Sequence, residues 1–225
     1  MKRLILAASL FAGSAMLPLA AYAQNAQQQL VDHSTLAVED MMAGAQGSQA
    51  AQFLRRAKAV VICPRVFRAG FIVGGEGGGC LLVSRAAGGS WSAPAFYNMG
   101  GGSFGFQAGV QDAEVMMMVM NETGLNALLN SQFKIGADAG LTVATIGAGV
   151  GGATSAALGA DIVTFSKSRG LYGGVSLAGS VMSNDSGADQ AYYGQTVDPR
   201  QIVIQMTANN AGANPLRAML SKYGG

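Results

Sequence analysis

The sequence predicts an α+β fold in which a strongly curved antiparallel sheet, or a partly closed β-barrel, is flanked by helices. Three observations predict it. Runs of β-branched and aromatic residues recur from Val60 to Met120 with glycine-rich gaps between them, helical patterns stand on either side, and glycine supplies 33 of the 225 residues. Long strands with tight turns are the natural use of that much glycine, because it enters left-handed backbone conformations freely. Many neighbouring strands with few polar interruptions suit a curled sheet or barrel.

Residues 1–23 read as a secretory signal. Lys2 and Arg3 form a basic start, Leu4 to Ala21 an almost unbroken apolar run, and Ala21-Tyr22-Ala23 a small-x-small site with cleavage expected before Gln24. A retained transmembrane anchor is the alternative, but Pro18 and the polar run from Gln24 to Gln29 suit a processed signal better. No cysteine stands near the cut to carry a lipid modification. The expected product is soluble and periplasmic or secreted.

A helical segment is expected over residues 24–56. Leu30, Leu36, Val38, Met41 and Met42 give Ala26 to Ala43 an amphipathic pattern that Gly44 stops. A second helix is expected from Ser48 to Ala57, with Ser48 as N-cap and Phe53 and Leu54 facing inward. The pattern then becomes β. Val60 to Cys63, Phe67 to Val73, Cys80 to Arg85, Trp91 to Met99, Phe104 to Val110 and Val115 to Met120 read as six strands, with Ala86-Ala87-Gly88-Gly89 as a tight turn. Asn121 to Asn130 reads as a helix, with Asn121 as N-cap, Glu122 in the first turn and Leu125, Leu128 and Leu129 on one face. Strand patterns return at Phe133 to Ile146, Ala156 to Ser168 and Gly170 to Met182. Asp198-Pro199 and Asn214-Pro215 each place an N-cap before a proline at the first helical position, although Ile202-Val203-Ile204 also suits a strand. Without an internal repeat or linker, the helical segment and a domain over 57–225 are expected to fold as one unit.

Removing Lys2 and Arg3 leaves 12 bases against 12 acids, so bulk charge gives nucleic-acid binding no support. The only cysteines, Cys63 and Cys80, sit at the edges of apolar runs that could lie side by side. In an oxidising compartment they could bridge, closing a loop worth roughly 3 kcal/mol. Two buried free thiols are the alternative, because a bridge requires close Cα atoms.

Several short motifs invite a chemical reading that their context does not sustain. Gly147-Ala148-Gly149-Val150-Gly151-Gly152 has the G-x-G-x-x-G form, but a β-like run follows and no ribose-holding acid stands about 20 residues on. A glycine-rich hairpin loop is expected there, not a cofactor site. Ala139 to Ala160 carries no charge, yet glycine and alanine dominate it, so a strand-loop-strand is favoured over a membrane span, with a loop touching lipid as an alternative. Gly101-Gly102-Ser103-Phe104-Gly105 has the G-x-S-x-G form of a nucleophile elbow, whose histidine base should come later in the chain. The sole histidine, His33, precedes Ser103 by 70 residues, which leaves Ser–His catalysis unsupported. One histidine and two cysteines outside a C-x-x-C spacing do not compose a zinc site. Glu76, enclosed by glycines, is expected to be fixed by backbone N–H groups or by an arginine in a structural role. The protein therefore reads as a non-enzyme without a cofactor.

No acid lies between Asp40 and Glu76, whereas Arg55, Arg56, Lys58, Arg65 and Arg68 do, giving that segment a charge of +5. Bases beside Phe53, Phe67 and Phe71 suit an anionic lipid surface, where each contributes about 1 kcal/mol. A solvated edge whose bases pair with acids elsewhere is the equal alternative.

The motifs also carry a resemblance. Ala57 to Ile62, PRVFRAGFIVGGEGG at 64–78, WSAPAF at 91–96, GGGSFGFQAG at 100–109, KIGADAG at 134–140 and SKSRGLYGGVSLAGS at 166–180 closely resemble the SYLF domain family, with Ala191-Tyr192-Tyr193-Gly194 similar as well. The resemblance implies a lipid-binding domain. Eukaryotic members bind phosphoinositides, some act with actin at endocytic membranes, and many stand beside an SH3 or FYVE module. This chain looks like an exported bacterial-type member without a companion module, whose expected partner is an anionic phospholipid or membrane surface in place of actin or phosphoinositides. A basic amphipathic stretch at the start of the domain is tied to membrane binding in eukaryotic members, and by resemblance that role falls to Arg55, Arg56 and Lys58. The expected function is non-enzymatic phospholipid binding at the cell envelope, or else a structural or protein-interaction role there without a lipid.

Overall fold

In the computed structural model, described over residues 19–70, 73–104, 109–130, 132–135, 143–146, 159–170 and 179–225, one eight-stranded sheet carries helices on both faces. The expected signal lies outside the described residues up to position 18, and helix α1 (Leu19–Ala43) runs unbroken through the expected cleavage point. Helix α2 (Gly47–Arg56) starts one residue before the expected cap, Ser48, and has no side-chain cap bond. The α1–α2 corner sets that start. A Cβ on Gly47 would stand 1.8 Å from the Met42 carbonyl oxygen, so the corner closes only over glycine.

Four long strands replace the six expected: β1 (Ala59–Gly70), β2 (Val73–Ser84), β3 (Ala95–Phe104) and β4 (Gly109–Val119). The runs expected at Val60 to Cys63 and Phe67 to Val73 join into β1, β4 takes the end of the run at Phe104 to Val110 together with the run from Val115, and the glycines at 74–79, read from sequence as a turn, are extended within β2. Gly77 pairs with Phe67 on one side and Gly100 on the other, so neighbours on both flanks satisfy its backbone and override glycine's weak strand preference. Helix α3 (Glu122–Leu128) forms as expected, with the Asn121 side chain accepting a hydrogen bond from the Gly124 N–H at 3.0 Å.

Strands β5 (Gln132–Lys134), β6 (Val143–Ile146), β7 (Ile162–Gly170) and β8 (Val181–Asn184) complete the order β5-β8-β3-β2-β1-β4-β7-β6. Neighbours run antiparallel except β6, which lies parallel to β7. That pairing overturns the hairpin expected around Gly147 to Gly152, because parallel strands need a crossover connection; that glycine motif itself lies outside the described residues. Helix α4 (Ser186–Tyr193), capped by Asp185, was not expected. A capping box between Asp198 and Gln201 starts α5 (Pro199–Val203), which takes Ile202 and Val203 as helix, not strand. A 3₁₀ turn (Ala211–Ala213) leads into α6 (Asn214–Gly224).

The sheet curls into a half-barrel, the α+β arrangement expected from sequence. Its central strands are buried on both faces, which is why they read as continuous apolar runs. Val60, Ile62, Leu81, Val83, Met116 and Met118 pack toward α1, α2, α4 and α6. Val61, Cys63, Cys80, Leu82, Val115 and Met117 pack on the opposite face, toward α3 and α5. Cys63 and Cys80 are bridged across β1 and β2 with their Cα atoms 4.2 Å apart. The register explains the pairing: Ile62 opposes Leu81, so the next residues along face each other.

Candidate functional site

The register of β1 decides where the basic side chains go. Ile62 pairs with Leu81 but Phe67 with Gly77, and Cys63 pairs with Val115 but Val66 with Ala113. β1 therefore holds one extra residue against both neighbours, a β-bulge at Pro64-Arg65. Proline has no N–H for the ladder, so a bulge is where a central strand tolerates it. The extra residue reverses the alternation. Cys63 and Val66 face α3 and α5, which leaves Arg65 and Phe67 on the α1 face and sends Arg68 through to the other. Glycine makes this possible, since a Cβ on Gly78 would lie 2.2 Å from the Arg65 carbonyl oxygen.

On the α1 face the bulge borders two adjoining clefts of about 500 and about 470 Å3, which share His33, Pro64 and Arg65. α1 crosses above them, with Leu30 against Gly79 at one end and Asp40 bound by Lys167 of β7 at 2.6 Å at the other. Arg65 donates to both carboxylate oxygens of Asp112 on β4, at 2.9 and 3.0 Å, and its guanidinium stands 5.8 Å over the Phe67 ring. The hydrogen bond and charge of Asp112 hold the Arg65 guanidinium above its ordinary pKa. His33 is exposed on α1.

The opposite face carries a transverse polar row. Arg68 pairs in register with Glu76, and Glu76 with Gly101. Arg68 donates its Nε to Glu76 Oε2 at 2.7 Å, and the Ser180 hydroxyl, just before β8, donates to Glu76 Oε1. The Glu76 side chain reaches Ser180 by lying over Gly101, where a Cβ would come within 3.0 Å of Oε1. The side chain of Glu76 is only 8% exposed, and of the two holders expected for this acid among glycines, backbone N–H groups or an arginine, the structure supplies the arginine.

A third arrangement gathers positive charge at one end of the molecule. Arg85 donates to the Leu54 and Ala57 carbonyls at the end of α2 and to the Gly224 and Gly225 carbonyls at the end of α6. Burial lowers its pKa, and its guanidinium lies 4.3 Å over the Trp91 ring. Two helix C-termini thus converge on one cation. Arg55 and Arg56 lie exposed in the last turn of α2, Lys222 lies exposed in the last turn of α6, and Lys58 follows α2 with its Nζ 2.7 Å from Glu122. Basic residues in those last turns also complement the negative ends of the helices.

The five bases singled out from sequence therefore do not share one face. Arg55, Arg56 and Lys58 lie at the α2 end, Arg65 borders the clefts about 20 Å further along β1, and Arg68 belongs to the polar row. Phe53 is buried in the core and Phe67 is exposed, while Phe71 lies outside the described residues. Sequence reasoning missed Lys222 and Lys167, which only the packing of α6 and α1 brings in. Pro64, in the short gap between the expected strands Val60 to Cys63 and Phe67 to Val73, was the one available signal of the bulge. Ser103 lies on β3, and among the described residues no three potential metal ligands cluster and no helix is long and apolar enough to cross a membrane.

A family model described as Ysc84, Las17-binding protein actin regulator, matches residues 100–223. The chain belongs to the Ysc84 family, the SYLF family of the sequence resemblance. The match takes in Ser180 and Lys222 and begins beyond Arg55 to Glu76. SH3 domain-containing YSC84-like protein 1 of Homo sapiens is 28% identical over 174 residues, which is 77% of this chain and 51% of that protein. Protein YSC84 of Saccharomyces cerevisiae is 29% identical over 172 residues, 74% of this chain and 36% of that protein. The Xenopus laevis YSC84-like protein 1 is 30% identical over 131 residues, 58% of this chain and 39% of that protein. The chain spans about half the length, or less, of these curated Ysc84 relatives. The family's description, and not the names of these relatives, is that of a binding protein.

Proposed function

We propose that this Ysc84-family protein is a non-enzymatic phospholipid-binding protein of the cell envelope, periplasmic or secreted after loss of residues 1–23. The observation that carries the reading is the convergence of the α2 and α6 C-termini on Arg85, with Arg55, Arg56 and Lys222 exposed around it. Cations on two helix ends form a compact basic surface, and near an anionic bilayer each contributes about 1 kcal/mol. Arg65 and Arg68, occupied by Asp112 and Glu76, add less to such a surface.

Co-sedimentation of the full chain with phosphatidylglycerol-containing and with pure phosphatidylcholine vesicles at low salt tests this. Binding to the anionic vesicles is expected, weakened roughly thirty-fold in R55Q/R56Q by the loss of two surface cations. Failure to bind either vesicle sinks the reading. A protein-interaction role is the second reading, favoured by the family's description as a Las17-binding actin regulator. A lipid-free protein that recovers a stoichiometric protein partner would support that reading instead.

A further inference from the structure

The paired clefts under α1 differ in character from the basic end. Their lining combines Leu30, Leu36 and Phe67 with Gly77, Gly78 and Gly79, which offer backbone and no side chains. Leu36 is 61% exposed and Phe67 42% exposed, so two large apolar side chains stand at the cleft with solvent on them. The lining runs along α1 from Leu30 to Asp40, about 15 Å at the helical rise, and the volumes fall within the usual span of small-molecule sites. An extended alkyl chain has the width to lie over glycine backbone and the chemistry to cover Leu36 and Phe67.

The charges restrict what that chain can carry. Two ion pairs flank the cleft, Arg65 with Asp112 exposed and Lys167 with Asp40 half-buried, and Glu114 lines it as a third acid. Exposed pairs are weak and exchange partners at little cost. A headgroup with a phosphate and an ammonium can place its phosphate on Arg65 and its ammonium on Asp112, which adds no net charge to a lining that holds Asp40, Asp112 and Glu114 against Arg65 and Lys167. A purely anionic headgroup would take a cation and strand a carboxylate.

From this juxtaposition we infer that the α1–bulge cleft is a site for a single zwitterionic phospholipid, with one acyl chain along Leu30, Leu36 and Phe67 and the headgroup between the two ion pairs. The inference rests on the reading of the protein as a phospholipid binder, but it uses a surface separate from Arg55 and Arg56.

Calorimetric titration of the full chain with monomeric dihexanoylphosphatidylcholine and, separately, dihexanoylphosphatidylglycerol, both below their micelle-forming concentrations, tests it. Saturable 1:1 binding of the phosphatidylcholine is expected, tighter than that of the phosphatidylglycerol. L36Q/F67Q changes two exposed side chains, so its thermal unfolding should match the parent while its affinity falls by roughly tenfold or more. R55Q/R56Q should leave this titration unchanged and weaken anionic-vesicle binding, and L36Q/F67Q should do the reverse. Absence of saturable binding, an unaltered affinity in L36Q/F67Q, or tighter phosphatidylglycerol binding overturns the cleft assignment. Vesicle binding that persists alongside any of these leaves the membrane-surface reading standing, so the two fail separately.

Discussion

Arg68 and Glu76 face each other across β1 and β2, and the arginine Nε lies 2.7 Å from the carboxylate Oε2 on the face away from α1. With the Glu76 side chain 8% exposed and that of Arg68 21% exposed, the pair is largely withdrawn from water. Removing one partner leaves the other charge poorly solvated. Glu76→Gln and Arg68→Met are therefore each expected to destabilise the fold by about 2–4 kcal/mol, and R68M/E76L by less than either single change. Urea unfolding of the three variants checks this, and a Glu76→Gln protein as stable as the parent would refute it.

The Cys63–Cys80 bridge joins adjacent strands over a separation of 17 residues. Closing a loop of that size stabilises by about 3 kcal/mol, mainly by restricting the unfolded chain. C63A/C80A should lose stability of that order, and the parent should lose a similar amount in reductant. Equal denaturation midpoints with and without reductant would contradict it.

Gly78 lies opposite the bulge, where a Cβ would meet the Arg65 carbonyl oxygen at 2.2 Å, whereas Gly88 has nothing within 4 Å. Gly78→Ala must push β1 and β2 apart and should cost about 1–3 kcal/mol, with Gly88→Ala close to neutral. Thermal melts of the two variants side by side decide the matter, and a Gly78→Ala protein as stable as Gly88→Ala counts against the bulge geometry.

Asp189 of α4 is fully buried and accepts hydrogen bonds from the Phe96 N–H at 2.9 Å and from Asn184 Nδ2 at 2.8 Å. Burial pushes its pKa up to about 6, against the smaller opposing pull of those hydrogen bonds. A folded pKa above the unfolded one means that the native state holds the proton more tightly. The stabilisation from this group is present at low pH and declines as pH rises toward and through about 6. A loss of about 1–2 kcal/mol between pH 5 and pH 7.5 is expected, and Asp189→Asn should remove that slope. Denaturant titrations at both pH values test it; identical pH dependence in parent and variant would exclude Asp189 as the source.

Sequence alone determined the class of fold, the helices around Val38 and Leu125, the apolar central strands, and a structural setting for Glu76 with backbone N–H groups or an arginine as its holder. These follow from local periodicity, capping chemistry and composition, which need no knowledge of neighbours. The Asn121 cap and the Asp198–Gln201 capping box formed where their residue types stand. Tertiary structure alone decided whether Gly74 to Gly79 would turn or extend, because pairing with β1 and β3 supplies the hydrogen bonds that glycine's own preferences do not favour. It also decided which way each basic residue points. One extra residue at Pro64-Arg65 reverses the alternation of β1, so Arg65 takes the α1 face and Arg68 the opposite one, where an unbroken alternation from Cys63 would exchange them. A strand's faces are set by register against its partners, and register is a property of pairs of segments that no single segment contains.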